Sequence, residues 1–140
     1  MAKLKHEKYI NRHKPPFRQS FGHAWDGICW TVLHERNLQI QLLASRVVTM
    51  AGLILRLTAG EWLALLIFFT LVPTIELINT AIEIMCNIMR DELHLDYAAT
   101  KLPRDMLAGA VLYSTIGAVI AGLVIFLPKI CTLLIHLTVI

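Results

Sequence analysis

A chain of 140 residues with 56% hydrophobic and 16% charged residues, a mean hydropathy of +0.62 and a formal net charge of +3 is one domain at most and has a membrane composition. The positive charge comes with no basic stripe interleaved with aromatics, which argues against a nucleic-acid partner. Cys29, Cys86 and Cys131 fall in separate segments without CxxC spacing, so a disulfide framework and a zinc knuckle are excluded in favour of free, packed thiols.

Residues 1–16 form a basic tail that contains no apolar signal-peptide core and ends in "KPP", which cannot begin as regular helix. From residue 17 to the end the chain reads as one integral membrane domain. Phe17, Phe21, Trp25, Ile28 and Val32 recur at helical spacing, with Arg18, His23, Asp26 and Glu35 largely elsewhere around the helix. That pattern predicts an amphipathic helix over about 17–38, lying in the headgroup plane.

A first span follows over about 40–57, where Arg56 can snorkel from one end. Arg46 sits inside the other end, and nothing in the sequence accounts for it. The second span, about 62–88, is charge-free from Trp62 to Ile75 and then admits Glu76 and Asn79, so it crosses only if those groups face protein or water. Pro73 precedes them and is placed to kink the helix. The third span, about 105–128, contains 23 residues without formal charge between Asp105 and Lys129, enough for a hydrocarbon core of about 30 Å. Within it Ala110, Ser114, Ala118 and Gly122 make a stripe of small residues for close helix contact.

Seven of the thirteen basic residues precede the first span, and Arg90, Lys101 and Arg104 lie between the second and third. Cytoplasmic flanks collect Lys and Arg, so three spans with the N-terminus inside fit this distribution.

Glu76, Asn79 and Glu83, at i, i+3 and i+7, share one helical face. Lys101, Arg104 and Asp105 enter the third span at the same boundary, and Glu35 closes the surface helix beside the first. Carboxylates hold Mg2+, cations hold phosphates, and a carboxylate shielded by hydrocarbon takes up a proton more readily than one in water. Phosphoryl transfer to a lipid alcohol requires those parts, because that chemistry is mostly positioning and charge neutralisation. The bland alternative for Glu76 and Asn79 is a polar clamp between helices, and a non-catalytic channel or accessory subunit is the alternative of a different class. Glu61, Asp91, Glu92 and Asp96 read as solvated flanks. The histidines lack metal-ligand spacing, and only His94, beside the polar loop, is placed to touch substrate.

"ELINTAIE" at 76–83 followed by "RDMLAGAVL" at 104–112 resembles the small prokaryotic diacylglycerol kinases, with "SFGHAWDGI", "HERN", "EW" and "GLVIFLPKI" in the expected order. The resemblance covers nearly everything from Ser20 onward. It implies an all-α membrane fold of three transmembrane helices and a surface helix, assembled as a homotrimer in the bacterial inner (plasma) membrane, with shared sites on the cytoplasmic side. It implies ATP as phosphoryl donor, Mg2+ and a lipid alcohol substrate. Glu76 would be the general base, Asn79 would contact the nucleotide phosphates, and Glu35 and Glu83 would hold Mg2+. Asp105 would stand near the nucleotide, and Lys101, Arg104 and Arg18 are the nucleotide-binding cations, with Lys101 a rival to Arg104 for the phosphate. The usual Lys-Asp pair entering the third span is Arg104-Asp105 here, and Asn87 replaces a frequent Asp and receives no metal role. The flanking motifs look more like the undecaprenol branch of the family than the diacylglycerol branch.

Overall fold

The computed structural model describes residues 16–138, which form four helices and, among those residues, no strand. The expected tail lies, apart from Pro16, outside the described residues. α1 spans Phe17–His34, α2 Arg36–Ile54, α3 Ala59–Leu93 and α4 Tyr97–Thr138.

α1 stops short of the expected 38 because side chains take over its last carbonyls. His34 Nδ1 meets Trp30 O at 2.8 Å while its ring stacks on Trp30, and Gln39 Nε2 donates to Val32 O and Leu33 O at 3.1 and 3.2 Å. Glu35 can then turn extended, and α2 begins in a new direction.

α2 ends in a tight turn with Arg56 at φ 50°. α3 starts on a capping box: Glu61 N–H donates to Thr58 Oγ1 at 3.4 Å, and Thr58 N–H donates to Glu61 Oε2 at 2.6 Å. Gly52 is required here. A Cβ on it would come within 2.8 Å of both Leu57 Cδ1 and the Trp62 ring. Gly52→Ala is therefore expected to cost about 1–3 kcal/mol of overpacking, against a helix-propensity gain of about 1 kcal/mol. The thermal midpoint in detergent is expected to fall, and an unchanged or higher midpoint would show that the Trp62 ring slides aside and that glycine is not needed.

The 35-residue α3 and 42-residue α4 are long and apolar enough to cross a membrane. α2, which carries Arg36 and Arg46, is not among the helices that meet that test. The charged connection expected between the second and third spans shrinks to residues 94–96, because α3 runs on to Leu93 and α4 already begins at Tyr97. No helix breaker stands between 88 and 93, and charged side chains there tolerate helix in water as well as loop. His94, at φ 51°, closes α3.

α3 is the central helix, with α4 packed along it and α2 on its other flank, while α1 touches α2 and the edge of α3. The buried apolar core is thin, consisting of Leu38, Leu57, Leu65, Val72 and Cys86, and large apolar side chains such as Phe17 and Tyr113 stand exposed. Outer faces of that kind belong against hydrocarbon or another protein surface. Along the small-residue stripe, Ser114 is buried and Ala118 and Gly122 half-buried, whereas Ala110 is exposed.

Candidate active site

Glu76, Asn79, Thr80, Glu83 and Asn87 lie on one face of α3, over about 16 Å of helix. Pro73 lacks an N–H and so leaves the Phe69 carbonyl without its usual donor, yet α3 continues through it. The hydroxyls of Thr70 and Thr74 bond back to Leu66 O and Thr70 O at 3.0 and 2.7 Å, satisfying themselves in the apolar stretch.

Glu76 is 1% exposed, the one large side chain fully buried among the described residues. Its carboxylate accepts from Gln41 Nε2 of α2 at 3.3 Å. One neutral amide at that distance does not offset the several kcal/mol that burying a carboxylate costs, of order 3–5 for an uncompensated charge. The site therefore calls for a further partner that is a cation or a hydroxyl.

Other buried atoms point the same way. Gln41 Oε1, Asn79 Oδ1, Thr80 Oγ1 and Arg104 Nε are buried without a hydrogen-bond partner. In folded proteins nearly all such atoms are satisfied, so these four call for a partner that the described residues do not supply. Asn79 Nδ2 donates to Glu83 Oε1 at 3.3 Å, which turns the amide oxygen away as a free donor atom for a metal. An oxygen-only set of this kind fits a hard cation. Among the described residues no three His, Cys, Asp or Glu side chains gather as a cage. Mg2+ needs only one or two carboxylates where phosphates complete its shell.

At the far end of the stripe, Arg104 of α4 donates from Nη2 to Asn87 Oδ1 at 2.8 Å and lies over the Tyr97 ring, 5.7 Å from its centroid. Arg104 is thus half-buried and turned toward α3, while Lys101 and Asp105 are exposed on the same helix. Glu35 is half-buried at the α1–α2 junction, Arg18 is exposed at the start of α1, and neither side chain bonds to the α3 stripe. The chain alone joins Glu76, Asn79, Glu83 and Arg104 along one stripe and leaves Glu35, Arg18, Lys101 and Asp105 around it.

Gln41, Thr80 and Tyr97 are additions that the sequence reading did not single out. Thr80 could have been found, since i+4 from Glu76 falls on the same face. Gln41 gave a weaker signal, as one amide among the apolar residues of "NLQIQLL". Nothing local to Tyr97 announces its ring under Arg104.

Below Gln41, between α2 and α4 and floored by α3, runs an apolar groove of about 400 Å3, lined by Val48, Phe69, Val72, Val119 and Leu123 among others. It is open along one side. Gln41 stands at its polar end, in contact with Glu76. The arrangement suits an amphiphile with a hydrocarbon body and a single polar head.

Residues 22–126 match the family model of the prokaryotic diacylglycerol kinases. The undecaprenol kinase of Bacillus subtilis is 36% identical over 124 residues, covering 89% of this chain and 95% of that protein. The diacylglycerol kinase of a Synechocystis species is 32% identical over 121 residues, covering 86% of this chain and 68% of that one. No solved structure matches. The buried acid on its polar stripe, the apolar groove and the extent of these matches agree: the chain belongs to the prokaryotic diacylglycerol kinase family and is a membrane lipid kinase.

Proposed function

We propose that the chain transfers the γ-phosphoryl group of ATP to the hydroxyl of a long-chain membrane alcohol, undecaprenol before diacylglycerol, at the cytoplasmic face of the bacterial inner membrane. The observation that carries this is the fully buried Glu76 carboxylate bonded to Gln41, which lines the polar end of the open apolar groove. A lipid lying in the groove brings its hydroxyl to Gln41 and Glu76. The carboxylate takes the hydroxyl proton as the alcohol oxygen bonds to the γ-phosphorus, and the bond from that phosphorus to the bridging oxygen breaks to release ADP.

Arg104, held by Asn87 and stacked on Tyr97, presents its unpartnered Nε to the nucleotide phosphates. Glu83 with the Asn79 amide oxygen, and Glu35, would hold Mg2+, which supplies charge neutralisation on the phosphates when bound. Lys101, Asp105 and Arg18 border this region as further nucleotide contacts.

Several features favour three spans with α1 in the interface. α2 follows α1 directly, Arg36 sits at its very start, and the exposed Phe17, Phe21 and Trp25 suit the headgroup layer. The extent of exposed apolar surface on α4 suits a trimer, in which a neighbour's Glu35 would complete a site. Undecaprenol is favoured because the relative of that activity is the more similar of the two and is covered almost end to end.

The test is turnover by the purified full chain in mixed micelles with Mg-ATP and matched mole fractions of undecaprenol or dioleoylglycerol. The expected outcome is undecaprenyl phosphate formed faster than phosphatidic acid. The reverse order would assign the diacylglycerol branch instead, and no product from either alcohol would sink the reading.

A further inference from the structure

Glu61, at the opposite end of α3, is about 22 Å along the helix from Glu76. Here α4 brings Lys129, Thr132 and His136 onto one face, at i, i+3 and i+7, against the turn between α2 and α3. Together with Arg56 and Glu61 they line a second hollow of about 530 Å3, whose other walls include Leu55, Val124, Ile125 and Leu133.

The charges in it do not balance. Lys129 Nζ pairs with Glu61 Oε2 at 3.1 Å, and the same oxygen accepts from the Thr58 N–H and hydroxyl at 2.6 and 2.9 Å. That carboxylate is the single acid among the described residues that line the hollow, and it is already engaged. Arg56 has no acidic partner among the described residues, and His136 lines the same hollow. Arg56 also holds φ 50°, where a side chain is strained and helices ordinarily place glycine. A cation kept at such a position, facing a hollow, is better explained by what it binds than by the turn it makes.

We propose that this hollow binds the phosphate headgroup of an anionic phospholipid in the leaflet remote from Glu76. The Arg56 guanidinium matches phosphate oxygens bidentately, with Lys129 and His136 beside it. The acyl chains lie on the apolar wall of α4 at Val124 and Ile125. A soluble anion would gain nothing from those walls, whereas a lipid uses both halves of the site. Lys129, Thr132 and His136 lie beyond residue 126, where the family-model match ends.

The clean variant is Arg56→Gly, because glycine adopts positive φ without strain and removes the charge while leaving the turn intact. In detergent, native mass spectrometry of the full chain with dioleoylphosphatidylglycerol and dioleoylphosphatidylcholine in competition is expected to show retention of the anionic lipid. Arg56→Gly loses about fivefold of that preference, the further change His136→Gln loses more, and Arg56→Lys keeps most of it. Glu76→Gln, far from the hollow, keeps it all, which separates this proposal from the catalytic reading. An unchanged preference in the Arg56→Gly/His136→Gln chain would place the lipid elsewhere. Displacement by millimolar inorganic phosphate would make the hollow a free-phosphate site. A change of oligomeric state without any lipid preference would make it a subunit contact. Each of these three results overturns the proposal.

Discussion

Glu76→Gln is expected to turn over about a hundredfold more slowly than the parent chain, or worse, the usual scale for loss of a general base, with the KM for Mg-ATP nearly unchanged. Glutamine keeps the shape of the side chain, and its amide oxygen can still accept from Gln41 as Glu76 Oε2 does at 3.3 Å. Burial is then no obstacle to folding, since a neutral amide is cheaper to bury than a carboxylate. The selective loss would fall on kcat, the signature of an interaction made in the transition state. The measurement is a steady-state comparison at saturating lipid and varied Mg-ATP, with the melting curve as a check on the fold. Near-normal turnover would remove Glu76 from the role of base and make Asp105 the next candidate.

Glu83→Gln is expected to fail differently. Its Oε1 accepts from Asn79, and a glutamine oxygen can take over that bond, so the stripe on α3 stays formed. What is lost is a charged oxygen for Mg2+, and the metal concentration for half-maximal rate is expected to rise at least about tenfold, the lower end of what even outer-shell partners contribute. Excess Mg2+ then partly restores the rate, which it cannot do for Glu76→Gln. Mixing the two inactive chains before assembly adds a test of shared sites. If Glu76 and Glu83 serve different sites within a trimer, some mixed assemblies contain an intact one and activity returns. A metal dependence unchanged by Glu83→Gln would leave the ion to other groups.

Much of this site could be read from spacing. Glu76, Asn79 and Glu83 declare a common face because 3.6 residues per turn fixes it whatever the helix packs on, and an acid in an apolar run has few cheap explanations. α3 and α4 were legible for the same reason, as long apolar stretches. What was not legible depends on contacts between distant segments. Gln41 meets Glu76 only because α2 packs beside α3, and Arg104 meets Asn87 only because the connection between α3 and α4 is three residues rather than a long charged loop. Helix ends differ from the expected bounds where side chains decide them, as with Gln39 at the end of α1, and α3 runs past the expected span where charged residues sit in helix as readily as in coil, as at 89–93. Arg46 is exposed on α2, and the structure gives it no partner among the described residues.

The groove between α2 and α4 is walled almost entirely by apolar side chains, and on the proposed reading its open side faces hydrocarbon. If the proposed lipid alcohol binds there, it never leaves the bilayer, and its arrival is a two-dimensional search in which the relevant quantity is alcohol molecules per lipid molecule. Moles per litre of suspension say little about how often Gln41 meets a hydroxyl. Diluting the membrane with inert lipid starves such an enzyme, while diluting the suspension with buffer leaves its supply untouched. ATP, in contrast, comes from water and obeys ordinary volume concentration, so on the proposed reading one active site answers to two different measures of abundance.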